Sequence, residues 1–166
     1  NSKGFSNFTF SRTEYDREYV NGTEIDTYDS TSNTYILTNT LLKSNFDVTP
    51  GIEYEYFDGS FNNTGSYTAK VDTDGENVGY FVNGNLIASD KLLVSASIRE
   101  DDQSLFNNYT TYRLCGTYDL TGTLKLKSNY ATSVKTPTLY EMHGSDSYGY
   151  NGNPNLQPEE AETMDI

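Results

Sequence analysis

The sequence of 166 residues contains no tryptophan, one cysteine (Cys115) and one histidine (His143). A single cysteine excludes an internal disulfide bond, and its position in an alternating segment indicates a small packed side chain. With one cysteine and one histidine, the sequence has no pair of Cys/His motifs spaced to bind a metal ion and no arrangement typical of a Ser/His/Asp triad. No phosphate-binding loop is present either. These absences indicate a protein that is not an enzyme.

Basic residues are scarce, since 11 lysines and arginines stand against 24 aspartates and glutamates and give a net charge of −13. Phosphate binding needs a basic surface, so nucleic acid is not an expected partner. Long apolar runs are missing as well, because no segment approaches the roughly 18 residues of a transmembrane helix. A membrane-spanning helix is therefore not expected.

Aromatic residues are abundant for so polar a chain. The sequence has 15 tyrosines and 8 phenylalanines, yet only 34% of its residues are hydrophobic. The mean hydropathy of −0.69 argues against a large dry core, whereas the aromatic content is too high for a disordered chain. Strands with one apolar face and one wet face would explain both observations.

Apolar and polar residues alternate with a period of two, as at Val94, Ala96 and Ile98, while helical periodicity is nearly absent. The pattern predicts an all-β, antiparallel protein of eight strands. The predicted strands are residues 4–15, 34–45, 52–57, 77–88, 92–102, 109–119, 123–133 and 160–166.

Short and long connections alternate between these strands. The short turns are predicted at residues 46–51, 89–91 and 120–122. The long polar links are predicted at residues 16–33, 58–76, 103–108 and 134–159. All four prolines then fall between strands, where a missing N–H costs no ladder bond. Short turns on one side and long loops on the other are typical of outer-membrane barrels.

Charged residues agree with a barrel that faces lipid, because they fall opposite the apolar positions. They are Glu53, Glu55, Arg99, Arg113, Lys125 and Lys127. A lysine or arginine turned towards mid-bilayer lipid would cost about 2–4 kcal/mol, whereas one that faces the lumen costs little. A soluble β-structured adhesin or binding module stays open as the alternative, but it would need a second sheet over the apolar face.

Three segments resemble one protein family. Residues 99–102 (Arg-Glu-Asp-Asp) resemble the R-x-D-D strand end of TonB-dependent outer-membrane receptors, and residues 128–141 resemble their A-S-Y-G-T-G-F-K-A-P-T-L-x-E-L segment, with Val134 and Thr136 at the usual Phe and Ala positions. Residues 152–159 match the family's G-N-P-x-L-x-P-E box. The two boxes occur in the family's order.

The resemblance implies a transmembrane β-barrel of 22 strands in the outer membrane of a Gram-negative bacterium. An N-terminal plug domain would fill the barrel and engage TonB, and lipid and a scarce nutrient would be the other partners. Residues 1–166 are accordingly expected to be a partial barrel domain of about eight strands, from an incomplete chain without the plug or the C-terminal strands.

Most residues of the two boxes are expected to anchor a loop to the barrel rim, because the prolines fix φ and Gly152 allows close approach. These residues are Lys135, Pro137, Leu139, Glu141, Gly152, Asn153, Pro154, Leu156, Pro158 and Glu159.

The nutrient is expected to be cobalamin, because the spacing of the motifs is most similar to the cobalamin-receptor branch. The acidic link of residues 16–33 fits a nearly neutral corrinoid better than an anionic ferric siderophore, and its carboxylates are either solvated or bind Ca²⁺. Haem is the alternative, because His143 lies between the two boxes and could ligate its iron. Tyr148 and Tyr150 could stack on a corrin or porphyrin.

Overall fold

In the computed structural model of the protein, the described residues are 3–64, 70–144 and 149–166. They form one antiparallel sheet of eight strands that follow each other in chain order. The elements are β1 (Lys3–Asn21), β2 (Glu24–Leu42), β3 (Phe46–Asn63), β4 (Lys70–Ser89), β5 (Leu92–Gln103), β6 (Tyr109–Asp119), β7 (Lys125–Lys135), α1 (Leu139–His143) and β8 (Glu159–Asp165). No helix among the described residues is long and apolar enough to cross a membrane.

The alternation of the sequence becomes a separation of the two faces of the sheet. Ile98 pairs with Val82 on β4 and with Tyr112 on β6, so that these side chains share one face. Arg99 pairs with Phe81 and Thr111 on the opposite face. We call the face of Arg99 the inner face and the face of Ile98 the outward face.

The predicted placement of charge is confirmed by the register of β6 and β7. Lys127 pairs with Thr117 and shares the inner face, whereas Leu126 pairs with Tyr118 on the outward face. Outward apolar side chains are uncovered, as shown by Phe8, which is 65% exposed, and Leu114, which is 54% exposed. An apolar surface of this extent needs a cover other than water.

Only Phe61 and Met142 are buried hydrophobic residues among those described. The sheet therefore has no second sheet packed against it in this part of the chain, and it lacks the core that a soluble sandwich would need. The two buried residues hold the segment after β7 in place on the sheet.

The link predicted at residues 16–33 is wrong, because the structure shows a continuous β1–β2 hairpin. Its register runs from Lys3↔Leu42 to Asn21↔Glu24. The reversal needs only Gly22, whose φ of 65° suits glycine, and Thr23. Charged residues lie on both faces of this hairpin near the turn, so the sequence shows no clear alternation there even though the backbone is fully paired.

Two further predictions around β3 need correction. The predicted turn at residues 46–51 is strand, since β3 begins at Phe46, and the predicted link at 58–76 is strand up to Asn63 and again from Lys70. Pro50 consequently lies within a strand and not between strands. It pairs with Val82 of β4, while the register with β2 is interrupted between Gly51 and Val48, so the missing N–H falls at a gap in the ladder.

Strand length divides the sheet into two parts. Strands β1–β4 have 18 to 20 residues, whereas β5–β8 have 7 to 12. A strand needs about 9–11 residues to cross a bilayer, so the long strands continue well beyond the apolar level. They do so at the end where residues 136–158 connect β7 to β8, which we call the outer end.

An ion-pair cluster holds the middle of the inner face. Nη2 of Arg99 donates to Glu53 Oε1 and Asp101 Oδ1, both at 2.7 Å, and Nε donates to Asp101 Oδ2 at 2.8 Å. The guanidinium also lies 5.7 Å from the centre of the Phe81 ring. It occupies the space above Gly79, where a Cβ would overlap it.

A Gly79→Ala substitution should lower the free energy of unfolding by about 1–3 kcal/mol, because the added methyl group displaces a guanidinium fixed by two carboxylates. The measurement is the urea midpoint of the refolded full-length protein in detergent. Gly84→Ala on the same strand is the control, because a Cβ there would meet its nearest atom, Asp47 O, at 3.5 Å. Equal shifts for both variants would contradict the role of Gly79.

Candidate functional site

A short helix with a capping box begins the segment after β7. The Thr138 side chain accepts from Glu141 N–H at 3.2 Å, and Thr138 N–H donates to Glu141 Oε2 at 2.7 Å. These reciprocal bonds allow a five-residue helix to form directly after Pro137. The conformation of this segment is therefore stabilised by bonds within the segment itself.

The second sequence box is attached to this helix. Gly152 N–H donates to Gly144 O at 2.7 Å, and Asn153 N–H donates to Glu141 O at 3.0 Å. A Cβ at Gly152 would lie 2.6 Å from His143 N and from Met142 C, so that position must lack a side chain. These contacts support the expected anchoring role of Gly152 and Asn153.

Stacked aromatic rings attach α1 to the inner face at the outer ends of β2 and β3. The ring of Tyr140 lies parallel to Tyr150, with centroids 5.0 Å apart, and meets Phe61 edge-on at 6.0 Å. Phe61 in turn packs against Tyr28 at 4.8 Å and is 1% exposed. Aromatic pairs in these arrangements stabilise contacts by about 0.5–1.5 kcal/mol beyond their buried area.

Beneath α1, a cleft of about 380 Å³ lies between the helix segment and the inner face of the sheet. Its apolar lining includes Phe57, Leu105, Phe106, Pro137, Leu139 and Met142, and its polar lining includes Ser32, Glu55, Gln103 and Thr136. Glu55 accepts a hydrogen bond from Ser32 Oγ at 2.6 Å. A mostly apolar cleft with a few fixed polar groups suits part of an organic molecule.

Two titrating groups border this site. Burial, followed by the negative charge of Asp26, raises the pKa of Tyr28, so its hydroxyl stays neutral and can donate at neutral pH. Hydrogen bonds from the backbone and side chain of Thr138 lower the pKa of Glu141, and Lys135, with Nζ 3.5 Å from Oε1, adds to this. Glu141 is consequently an anion that completes the helix cap.

The structure brings several of the predicted residues together and separates others. Tyr150 stacks on Tyr140, and its hydroxyl donates to the carbonyls of Tyr140 and Glu141 at 3.4 and 3.3 Å. His143 ends α1 and is half-buried, while Tyr148 lies outside the described residues. A narrow crevice is lined by Lys135, Thr136, Pro137, Glu141, Leu156, Gln157 and Glu159. Pro154 precedes Leu156 in the loop, and Pro158 precedes β8.

The acidic residues of the former link do not gather in one place. Asp16 and Asp29 pair on the outward face, whereas Asp26 shares the inner face and accepts from Asn63 Nδ2 at 2.6 Å. Among the described residues, no three His, Cys, Asp or Glu side chains are close enough to hold a metal ion. The calcium site that these carboxylates suggested is therefore not formed in this part of the chain.

Sequence reasoning missed most of the residues that line the cleft, because they come from four separate strands, β2 to β5, and from the turn after β5. Phe57 and Glu55 project from β3, while Gln103, Leu105 and Phe106 belong to β5 and the turn after it. The sequence contains one signal for the cleft, which is the apolar pair Leu105 and Phe106 inside a polar link. Two adjacent apolar side chains in a polar link indicate that another part of the protein covers them.

The fold and the inner-face site together define a class of protein. A meander of long antiparallel strands, with an uncovered apolar face and an inner face that holds a loop and a cleft, is the wall of a large membrane β-barrel. A family model described as "TonB dependent receptor-like, beta-barrel" matches residues 1–166. The chain belongs to this family, which excludes the soluble adhesin alternative.

Curated relatives include vitamin B12 transporters named BtuB. The protein from Photobacterium profundum is 30% identical over 128 residues, which are 75% of this chain and 20% of that protein. The protein from Vibrio cholerae serotype O1 is 34% identical over 74 residues, 45% of this chain and 12% of that protein. The chain thus spans about a fifth or less of the length of these relatives.

Solved structures with the same fold cover almost the whole chain. The copper transporter OprC has a TM-score of 0.68 at 10% identity and covers 98% of this chain and 32% of its own. The siderophore receptor PirA from Pseudomonas aeruginosa has a TM-score of 0.62 at 18% identity, and the match covers 96% of this chain and 35% of PirA. At these identities the likeness shows the fold alone. The family and the curated relatives are receptors and transporters, so the prediction of a non-enzymatic protein is confirmed.

The cap of α1 should weaken in acid. The folded-state pKa of Glu141 is lowered from its ordinary value of 4.5, so the cap's stabilisation is present above that value and is lost as the pH falls through the lowered pKa. Hydrogen exchange in the full-length receptor should show that the protection of the amides of Met142 and Gly144 falls as the pH is lowered from 4.5 through the lowered pKa of Glu141.

A Glu141→Gln variant is the control for this acid effect, because it cannot titrate. Its protection at these amides should be lower at neutral pH and should not change over the same interval. Strand amides such as that of Val82 should stay protected in both proteins throughout. The same acid dependence in the variant as in the wild type would show that Glu141 is not the titrating group.

Proposed function

We propose that this chain forms part of the barrel wall of an outer-membrane receptor that takes up cobalamin by TonB-coupled transport. The observation that carries the proposal is the similarity to vitamin B12 transporters, at 30% identity over 75% of this chain. The inner-face cleft supports it, because a corrinoid presents a broad, nearly neutral surface edged by amide groups. The apolar lining of the cleft suits the broad surface of the corrinoid, and the polar side chains of Gln103 and Ser32 suit its amide groups.

In this proposal the chain contributes surface and not chemistry. The outward apolar face contacts outer-membrane lipid, and the inner face surrounds a plug domain that belongs to the remainder of the receptor. Ligand binds at the outer end, where α1 and the aromatic cluster lie against β2 and β3. Energy delivered through TonB then rearranges the plug, and no residue of this wall needs to make or break a bond.

Haem is the second candidate, because His143 lies beside the backbone of Gly152 at the end of α1, on the segment that covers the cleft. A half-buried imidazole at that position could ligate haem iron. A ferric siderophore receptor is a third member of the same class. The acidic surroundings disfavour it, because anionic complexes would be repelled by a chain of net charge −13.

The cleft should be tested by substituting an exposed residue at its mouth. Leu105→Asn should weaken cyanocobalamin binding to the full-length receptor in detergent by about three- to tenfold, because an apolar contact is replaced by a polar one. Leu120→Asn is the matched control, since Leu120 is similarly exposed (44% against 41%) in a turn at the opposite end of the sheet. Equilibrium binding is the measurement.

A wild-type receptor that binds haemin and not cyanocobalamin would overturn the cobalamin proposal. Equal affinities for cyanocobalamin in the wild type and the Leu105→Asn variant would instead remove the cleft from the binding site.

A further inference from the structure

The β1–β2 hairpin carries a group of aromatic and basic side chains on its inner face, well beyond the apolar level of the sheet. Tyr15, Arg17 and Tyr19 occupy every second position of β1 and therefore share a face. Tyr28 pairs directly with Arg17 across the hairpin. Because Tyr28 packs on Phe61 beside α1, this shared face is the inner one.

Arg17 differs from Arg12 and Lys70, two other cations on the long strands β1 and β4. Arg12 lies 2.6 Å from Glu14, and Lys70 lies 3.3 Å from Asp72; by register, both pairs are on the outward face. Within the described ranges, Arg17 has no carboxylate within the 4.0 Å of an ion pair. The inner-face carboxylate of Asp26, opposite Tyr19, is engaged by Asn63 Nδ2.

The nearest neighbours of Arg17 on the inner face are tyrosines. Tyr15 and Tyr19 are 50% and 52% exposed, so their rings remain available on either side of it. A guanidinium offers paired donors that match the oxygens of a phosphate or carboxylate. Flanking rings add flat surfaces on which a conjugated group can lie. We call Tyr15, Arg17, Tyr19 and Tyr28 the arginine–tyrosine surface.

The same surface adjoins the aromatic cluster that attaches α1 beside the cleft. Tyr28 faces Arg17 on one side, and on the other its ring lies 4.8 Å from Phe61 and 6.5 Å from Tyr140 of α1. A ligand whose body fills the space under α1 could therefore extend an anionic end along Tyr28 to Arg17. At the outer end of the long strands, this surface presents an exposed positive charge on the inner wall of a strongly acidic chain.

We infer that the arginine–tyrosine surface binds the anionic group of the transported nutrient, which for a corrinoid is the phosphodiester of its nucleotide arm. The inference rests on the proposed function, because it takes the inner face at the outer end as the ligand site. It assigns Arg17 the role of selecting ligands that carry a phosphate or carboxylate at the correct distance from their planar body.

The test compares two corrinoids with the full-length receptor. Cyanocobalamin carries the phosphodiester, whereas dicyanocobinamide lacks it together with the nucleotide. Arg17→Ala should weaken equilibrium binding of cyanocobalamin by about tenfold or more and that of dicyanocobinamide by less than about threefold. Arg17→Lys should restore binding only in part, because a lysine is a point charge without paired donors.

Arg12→Ala is the matched control, because Arg12 lies on the outward face of the same strand. It should leave the binding of both corrinoids unchanged. Wild-type affinity for cyanocobalamin in the Arg17→Ala variant would overturn the inference while the proposed function stands. The same loss for both corrinoids would also overturn it, since the effect would not depend on the anionic group.

A failure of the proposed function gives a different result. If the wild-type receptor binds haemin and no corrinoid, the role of Arg17 is judged by haemin against haemin dimethyl ester, which lacks the free carboxylates. Loss of binding for haemin alone in Arg17→Ala would then support the anion site, and equal binding would overturn it. A receptor that binds neither class of ligand would overturn both proposals.

Discussion

Every strand in this chain depends on the same constraint, which is that its backbone groups are paired with neighbouring strands while its side chains alternate between two different environments. Hydrocarbon cannot satisfy an unpaired amide, so continuous ladders are required wherever the sheet crosses the membrane. The alternation then places Ile98 and Leu114 outward and Arg99 and Lys127 inward. A sheet built in this way needs almost no core of its own, which explains why Phe61 and Met142 are the buried hydrophobic residues of the described chain.

Those two residues connect the fold to the function. Their burial fixes α1 and the loop behind it against the long strands, and the cleft exists because this segment bridges the inner face without filling it. Side chains that belong to distant parts of the sequence meet there, since Tyr28, Phe61 and Tyr140 come from β2, β3 and α1. The outer end is thus both the part of the sheet that extends beyond the apolar strands and the part that holds the cleft.

Sequence patterns predicted the strands of the membrane level well and those of the outer end poorly, for a physical reason. Alternation is visible only where the two faces meet different solvents, so the sequence predicts β5 to β7 correctly but indicates a loop at residues 16–33, which are largely strand. Pro50 misled in a similar way, because its tolerance within β3 depends on a gap in the pairing with β2. The pairing of Arg17 with Tyr28 depends on the two-residue turn at Gly22, since a register shift of one residue would turn one of them to the other face.

The central claim is that one face of the sheet meets lipid and the other meets a wet interior. Single spin labels at residues 94–101, placed on a Cys115→Ser background of the full-length receptor in lipid vesicles, test it directly. Collisions with oxygen should peak at Val94, Ala96 and Ile98, while those with a water-soluble nickel reagent should peak at the positions between them. Profiles without a period of two, or with the two reagents exchanged, would contradict the account.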